Sequence, residues 1–536
     1  MSCAENFAAV AAAGRIAPSP RAWRPRGQPV RGRQPVPGQQ PVHGRQPARG
    51  RWSVRALVCG TALGLVPALL HAQAPSDAVD RGSSSVVSSG APAGLPDSLP
   101  QPATFRNETD VPGRVEVTLV AAPARLALLS SHPTEVYAYN GQVPGPTLEL
   151  HEGDRVTIHF RNELPEPTTV HWHGLHLPAA SDGSPLQPVP ARGHYDYSFT
   201  VLPGSAGTYW YHPHPDRRGG AQLARGLYGA IVIRPRSDPL EGIPERLLIL
   251  ADNRFRPDGS LDFPDPQSLQ GTVDAENGRE GDIVFVNGRI RPSLTLPAGG
   301  LERWRVINAS AARVYRLAIP GRTLVHVGND GGLFEHPVEV GEILVANAER
   351  VELLVRADGP AGSRMALQSL PYDRYTRNTR PPDWDRPRDL LALEVGAPAP
   401  GPPPSIPPVL REVPALDPAR ATATRVVVLS QGLINGRTMD MQRVDIRAKL
   451  GATEIWQVEN VVGMDHPFHL HGFQFQVLDR DGVPEPFRSW KDTVNVPRHS
   501  VVHLIVRYTD YAGKWMFHCH IMDHEDQGMM GILEVN

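Results

Sequence analysis

The chain has 536 residues with 54 basic and 56 acidic side chains, and it contains 56 prolines and 50 glycines. This length exceeds one ordinary hydrophobic core and predicts three domains of roughly 150 residues each. Frequent Pro and Gly, together with short apolar alternations in place of long helical periodicity, exclude a mainly helical protein and predict an all-β chain.

Residues 1–74 have the composition of a leader followed by a signal peptide. The first 55 residues hold ten Arg, a single acid and a Gly-Gln-Pro-Val repeat, so they cannot build a core. An apolar stretch of fifteen residues, 56–70, follows and ends before Ala72-Gln73-Ala74. Gly and Pro interrupt this stretch, which disfavours a permanent membrane span. We expect a periplasmic or secreted mature protein, while an overcalled start codon remains an alternative explanation of residues 1–50.

Removal of the leader changes the charge balance. Cleavage after Ala74 removes ten of the 54 basic and one of the 56 acidic side chains, which leaves a net charge of −11. An acidic body argues against nucleic acid as a partner and favours cationic or neutral substrates.

Composition also predicts the domain organisation. A Ser-, Gly- and Pro-rich flexible linker is expected at 75–103, and a Pro-rich linker is expected at 396–420. Alternation of apolar and polar residues, as in Arg155 to Phe160, indicates half-buried strands in the blocks between the linkers. The three predicted domains are 104–236, 237–395 and 421–536.

Four histidine clusters carry the chemistry, two in the first block and two in the third. Residues two apart on a strand point to the same face, so each His-x-His pair presents both imidazoles to one site. A single pair is more often a surface or core feature, but four pairs favour a metal site. The clusters are His171-Trp172-His173, His212-Pro213-His214, His466-Pro467-Phe468-His469-Leu470-His471, and His518-Cys519-His520 with His524 and Met529 beyond it.

Cys519 identifies the metal. It is the only cysteine after Ala74, so no disulfide can form within the mature chain. One thiolate, two imidazoles and a weak thioether are the blue-copper ligand set, and Cys519, His466, His524 and Met529 supply it. Zinc is the competing interpretation, but structural zinc sites generally use several cysteines at close spacing. On a strand His518 and His520 face away from Cys519, which suggests an electron path between two metal sites.

With these motifs the sequence closely resembles the multicopper oxidases, the group of laccases, bilirubin oxidases and periplasmic cuprous oxidases. The resemblance covers nearly all of residues 104–536 and includes Asn140-Gly141-Gln142-Val143-Pro144-Gly145-Pro146. It implies three cupredoxin-like β-sandwich domains, with the middle domain mainly a spacer and the first and third in contact.

The resemblance also implies four copper ions and their ligands. His466, Cys519, His524 and Met529 would hold the type 1 copper, and His171 and His469 the type 2 copper. His173, His212 and His520 would hold one type 3 copper, and His214, His471 and His518 the other.

The implied reaction takes electrons singly from a reductant and reduces dioxygen to water. Glu525 and Asp182 match acidic residues that stand near the copper cluster in the family and could relay protons, although each alone resembles a solvated loop acid. His176, His151 and His159 are expected at the surface or in supporting positions.

The sequence motifs do not identify the reductant. Seven of the nine Met lie between Met439 and Met530, and soft sulfur can bind Cu(I). Because a long Met-rich insertion is missing, phenols or aromatic amines are favoured over cuprous or ferrous ions. Asp465 could accept a phenolic proton or attract a metal cation, although a solvated turn is the simpler interpretation. An electron-transfer cupredoxin and a copper-free relative are disfavoured by the complete ligand set.

Overall fold

The structure is a computed structural model, and it describes residues 98–129, 132–375, 380–381, 383–398, 401 and 404–536. The predicted leader and signal peptide, and the predicted linker up to residue 97, lie outside the described residues. Within the described residues, no helix combines the length and apolarity that crossing a membrane requires. All of them belong to one compact unit, Ser88–Asn536.

The all-β prediction is confirmed, because the described chain consists of strands in six sheets with three short α-helices. Each domain is a sandwich of two sheets around its own core. Alternate burial along single strands, such as Thr453–Asn460, shows one face of a sheet packed inward and one turned outward.

The first domain pairs two four-stranded sheets, with orders β2-β1-β4-β6 and β3-β8-β7-β5. Its core includes Trp172, which lies between two histidines on the short strand β5. The elements are β1 (Arg114–Leu126), β2 (Thr134–Tyr139), β3 (Gly145–His151), β4 (Arg155–Asn162), β5 (His171–His173), β6 (His194–Thr200), β7 (Gly207–His212), α1 (Gly219–Ala224) and β8 (Gly229–Arg234).

The second domain has a seven-stranded sheet, β11-β10-β9-β13-β18-β15-β16, over a five-stranded one, β12-β20-β19-β14-β17. Its elements are β9 (Glu245–Asn253), α2 (Leu269–Asn277), β10 (Ile283–Val286), β11 (Arg289–Ile290), β12 (Ser293–Ala298), β13 (Leu301–Asn308), β14 (Tyr315–Ala318), β15 (Leu324–Asn329), β16 (Gly332–Val340), β17 (Ile343–Val345), β18 (Arg350–Arg356), β19 (Arg364–Leu370) and β20 (Arg388–Pro398).

The third domain has a six-stranded sheet, β22-β21-β24-β29-β26-β27, and a five-stranded one, β23-β31-β30-β25-β28. Helix α3 follows the predicted copper ligand Cys519 and contacts both α1 and α2, so it joins all three domains. The elements are β21 (Ala423–Ser430), β22 (Leu433–Ile434), β23 (Ile446–Ala448), β24 (Thr453–Asn460), β25 (His466–Leu470), β26 (Phe475–Arg480), β27 (Val483–Pro484), β28 (Thr493–Val496), β29 (Val501–Arg507), β30 (Gly513–Cys519), α3 (Met522–Asp526) and β31 (Met530–Val535).

Both predicted linkers contain packed residues. Leu99 is buried in the core of the second domain, and the Ser98 hydroxyl lies 2.9 Å from that of Ser293. In the Pro-rich linker Leu410 is buried and its N–H bonds the carbonyl of Glu335. Packing therefore starts before Thr104, and the second linker is fastened to its neighbours. The exact domain boundaries stay predictions.

Candidate metal centre

Strands β5 and β7 bring together the first two histidine clusters. His171 lies directly opposite His212 in this antiparallel ladder, and His173 lies opposite Trp210. His214, two residues past the end of β7, is also buried. One edge of the first domain thus presents four imidazoles.

Strands β25 and β30 bring together the two histidine clusters of the third domain. His469 pairs with His518 in the ladder, and Phe468 pairs with Cys519. Because neighbouring residues on a strand face opposite sides, His469 and His518 project from one face of the sheet and Cys519 projects from the other.

The two histidine edges meet in one buried cluster. The Nε2 atoms of His171 and His469 lie 3.4 Å apart, across the contact between the first and third domains. The Nε2 atom of His518 lies 3.2 Å from that of His214 and 2.9 Å from that of His471. These contacts agree with the domain contact that the family resemblance implies.

The third predicted group of ligands, His173, His212 and His520, is less tightly clustered. The Nδ1 atom of His173 lies 3.4 Å from Nε2 of His212. The ring centroid of His520 lies 5.0 Å from that of His173 and 5.2 Å from that of His212. Both ring nitrogens of His520 are buried without a hydrogen-bond partner, as expected of an imidazole whose partner is a metal ion.

Burial sets the protonation of the cluster. Desolvation lowers the pKa of His212 to about 3 and that of His518 to about 4. It also lowers the pKa of His171, His214 and His471 well below the usual value, and neighbouring imidazoles lower it further. Neutral imidazoles are the metal-binding form, so at neutral pH the cluster is ready to bind a cation.

A second site lies on the other face of β30. Ligand atoms of His466, Cys519 and His524 lie within 4.8 Å of one another, and the Cys519 sulfur is 3.7 Å from Nδ1 of His524. Met529 is buried in the same core cluster as Cys519. The structure therefore brings together the ligand atoms of three residues predicted for the type 1 copper, and the backbone of Met529 is hydrogen-bonded to that of Cys519 and His524.

The thiol itself supports metal binding at this second site. Burial raises the pKa of Cys519 to about 12, so the group does not ionise by itself at neutral pH. A bound metal ion converts such a thiol to the thiolate. Cys519 is the one cysteine of the described residues, which leaves no set of thiols for a structural zinc site there. The donor set fits copper.

Two buried carboxylates lie close to Nδ1 atoms of the histidine cluster, the ring nitrogens opposite the Nε2 atoms that contact one another. Asp182 Oδ2 lies 2.8 Å from Nδ1 of His471. Glu525 lies 3.3 Å from Nδ1 of His214 and 3.5 Å from Nδ1 of His518. Burial raises the pKa of Asp182 to about 8 and that of Glu525 well above its usual value. Neither group is the solvated loop acid that it resembles in isolation.

One carboxylate at the cluster was not predicted. Asp492 lies beside β28, with Oδ1 3.0 Å from Nε2 of His173, and the hydroxyl of Thr493 lies 3.0 Å from the same nitrogen. Arg350 of the second domain makes an ion pair with Asp492. The available signal was the charged pair Lys491-Asp492 directly before the strand Thr493–Val496.

Other residues singled out in the sequence lie outside the two sites. His176 bonds the carbonyl of Gly472 and the carboxylate of Asp510, while His151 and His159 are on exposed strand faces. Asp465 is only 2% exposed, so its interpretation as a solvated turn residue is wrong. It accepts hydrogen bonds from the Tyr372 hydroxyl and the Arg498 N–H, which hold it inside the structure.

Comparison with known proteins agrees with this geometry. Family models described as multicopper oxidase match residues 121–238, 258–387 and 407–536. A multicopper oxidase from Staphylococcus haemolyticus is 30% identical over 81% of this chain and 91% of its own length. A laccase from Bacillus stratosphericus is 26% identical over 75% of this chain and 91% of its own length.

A solved structure, titled as a multicopper oxidase from Campylobacter jejuni that is a metallo-oxidase, superposes with a TM-score of 0.74. It is 34% identical and covers 83% of this chain and 98% of its own. The resemblance predicted from the copper motifs and the three-domain cupredoxin-like fold are confirmed. The chain belongs to the multicopper oxidases, a family of copper-dependent oxidoreductases that use dioxygen and a reductant.

Proposed function

We propose that this protein oxidises a small reductant by single electrons at one copper site and passes the electrons to a three-copper cluster that reduces dioxygen to water. The observation that carries this proposal is the tripeptide His518-Cys519-His520. Cys519 lies among the mononuclear ligands, while His518 and His520 lie in the histidine cluster. A few covalent bonds therefore join the two sites.

We assign ligands as the family resemblance implies. The mononuclear (type 1) copper is assigned to His466, Cys519, His524 and Met529. Bound copper supplies reversible one-electron redox chemistry at that site and dioxygen reduction at the cluster. The type 2 copper is assigned to His171 and His469, one type 3 copper to His173, His212 and His520, and the other to His214, His471 and His518.

Glu525 and Asp182 are proposed to hold the protons that water formation consumes. Both oxygens of Glu525 are buried without a hydrogen-bond partner, and they face the Nδ1 atoms of two assigned ligands. Asp182 has the corresponding position at His471 and His171. Burial raises the pKa of both carboxyl groups, which favours the protonated form, and a protonated carboxyl group can donate its proton to a basic oxygen atom.

The reductant has to reach a well-covered site. His466 is 1% exposed and His524 is 2% exposed. The C-terminal end of helix α2 covers the imidazole of His524, whose Nε2 atom lies 3.0 Å from the carbonyl oxygen of Glu276. Because both rings are covered, a phenol finds no exposed imidazole face to stack on, whereas a metal ion requires only a few ligand atoms near the site. We infer that Cu(I) or Fe(II) is favoured over the phenols and aromatic amines that the sequence favours.

Phenol oxidation is the second candidate, supported by the similarity to proteins named laccases. Oxygen uptake by the copper-loaded protein with Cu(I), Fe(II) and 2,6-dimethoxyphenol separates the two. The Cys519→Ser variant, loaded in the same way, corrects for autoxidation of the metal ions. We expect corrected turnover with a metal ion to exceed that with the phenol. Faster turnover of the phenol than of both ions would reverse the assignment.

We also propose that the protein works outside the cytoplasm, on the strength of its signal-peptide-like leader. N-terminal sequencing of the protein that the native host secretes tests this proposal directly.

A further inference from the structure

A cavity of about 680 Å³ lies where the three domains meet. It is bounded by the turn between β6 and β7, by β13 and by linker residues 410–416. The third domain adds Phe473, Gln474 and Trp490. None of the residues assigned to copper lines it. A volume of this size is in the range of sites that bind small organic molecules.

Arg411 is the unusual residue of this cavity. One terminal nitrogen donates a 2.8 Å hydrogen bond to the carbonyl of Gly331, but its Nε atom is buried without a partner. Within the described part of the chain, no carboxylate lies within 4.0 Å of its guanidinium. Burial lowers the pKa of Arg411, because desolvation opposes the charged form. A partly buried guanidinium with an unsatisfied Nε–H gains hydrogen bonds and a counter-charge when an anion joins it.

The other arginines at the inner wall are already satisfied. Arg303 and Arg305 share the buried carboxylate of Glu352, at 2.5 Å and 2.7 Å, and both also contact Glu245. These ion pairs leave little positive charge for a ligand.

The acids of the cavity are similarly engaged or exposed. Glu152 accepts hydrogen bonds from the backbone N–H groups of Gly204 and Ala206, and Asp510 pairs with His176. Glu412 and Arg507 are solvent-exposed residues of opposite charge. Arg411 is thus the inward-facing cation with spare hydrogen-bonding capacity.

Much of the remaining wall is apolar, although Gln474 and Thr509 also line the cavity. Leu333, Leu410 and Phe473 are buried, and Trp490 is partly exposed toward the cavity. Such walls favour an apolar ligand body, while Arg411 selects a planar anion that accepts two N–H bonds.

We propose that this cavity is a binding site for a small organic carboxylate, with the carboxylate on Arg411 and its apolar body against Phe473 and Trp490. Since the cavity is walled by three domains, the ligand stabilises the arrangement that holds the first and third domains together. Stabilisation by a ligand that binds only the folded state grows with its concentration relative to Kd.

Calorimetric titration of the copper-loaded protein with benzoate tests the proposal, with benzyl alcohol as the neutral probe and inorganic phosphate as an anion without an apolar body. We expect benzoate to bind at least tenfold more tightly than either and to raise Tm. Arg411→Gln should lose at least tenfold in benzoate affinity, whereas Arg125→Gln on the exposed face of β1 should not change it.

Two further measurements separate binding from folding. Arg411→Gln should leave the Tm of the unliganded protein nearly unchanged, because the Arg411 side chain is only partly buried and makes no ion pair with a carboxylate of the described residues. Ala415→Trp, placed on an exposed linker residue that lines the cavity, should block benzoate while the protein stays folded. The proposal is overturned if benzoate does not bind the wild-type protein, or if it binds Arg411→Gln or Ala415→Trp as tightly as wild type.

Discussion

Arg350 on β18 of the second domain holds Asp492 of the third domain through two hydrogen bonds, of 2.8 Å to Oδ1 and 2.5 Å to Oδ2. Both side chains are buried. Since Asp492 Oδ1 also faces Nε2 of His173, the second domain reaches the histidine cluster through one carboxylate. The middle domain therefore helps to orient an assigned ligand and is more than the spacer expected from the sequence.

Replacement of Arg350 by Met should destabilise the protein and weaken its copper binding. The change leaves Asp492 as a buried carboxylate without its cation, which typically costs about 3–5 kcal/mol. Loss of an outer partner of a metal-bound histidine typically weakens metal binding about 10- to 100-fold. Denaturant unfolding and copper content per chain after dialysis against a chelator measure the two effects.

The matched control for that variant is Arg316→Met. Arg316 pairs with Glu342 at 2.7 Å, but both side chains are more than a third exposed. Such a surface pair contributes about 0–1 kcal/mol, so its loss should leave stability and copper content nearly unchanged. Equal effects of the two substitutions would refute the role given to Arg350.

Cys519→Ser should abolish the intense thiolate-to-copper absorption and turnover together. The serine hydroxyl keeps the shape of the side chain but does not supply a thiolate ligand. Visible absorption of the copper-loaded protein and oxygen uptake measure this. A variant that stays intensely coloured would remove Cys519 from the ligand set.

Glu525→Gln should slow reoxidation by dioxygen and leave the type 1 copper absorption intact. Glutamine keeps the size of the side chain but removes the exchangeable carboxyl proton beside His214 and His518. Stopped-flow reoxidation of the reduced protein is the measurement, with Glu163→Gln on an exposed turn as control. Reoxidation at the wild-type rate would exclude Glu525 as a proton donor.

His326 should make the folded protein sensitive to acid. Burial lowers its pKa to about 3 in the folded state, below the value near 6.5 of an unfolded histidine. The unfolded chain therefore binds a proton first, and stability falls as pH drops through the range from about 6.5 to about 3. The contribution is about 1.4 kcal/mol per pH unit in that range, and it is absent above it.

His326→Phe should remove this part of the acid dependence, because phenylalanine packs on Phe334 and does not titrate. The unfolding free energy of both proteins between pH 7 and pH 4 measures the difference in slope. His336→Phe, at a 62% exposed side chain, should keep the wild-type slope. Parallel slopes for wild type and His326→Phe would contradict the argument.

Much of the site could be predicted because its information is local. Strand parity puts the two histidines of each pair on one face and turns Cys519 to the other, and the ladder of His469 with His518 follows the same rule. The family resemblance supplied Asp182 and Glu525, whose burial could not be read from loop-like surroundings.

The rest depends on contacts between distant segments. Arg350 and Asp492 are 142 residues apart, and no periodicity relates them. The cover that Glu276 provides for His524 comes from a helix between β9 and β10, and it depends on the packing of that helix of the second domain against α3 of the third. The cavity around Arg411 arises from the same packing.

The stoichiometry of the reaction tests the central claim most directly. Oxygen uptake and hydrogen peroxide should be measured together while the copper-loaded protein oxidises a known amount of a one-electron donor. If Cys519, His518 and His520 link a mononuclear site to a cluster that collects electrons, about four donors should be oxidised per dioxygen, and no peroxide should accumulate. A ratio near two with peroxide as product, or donor oxidation without oxygen uptake, would contradict the account.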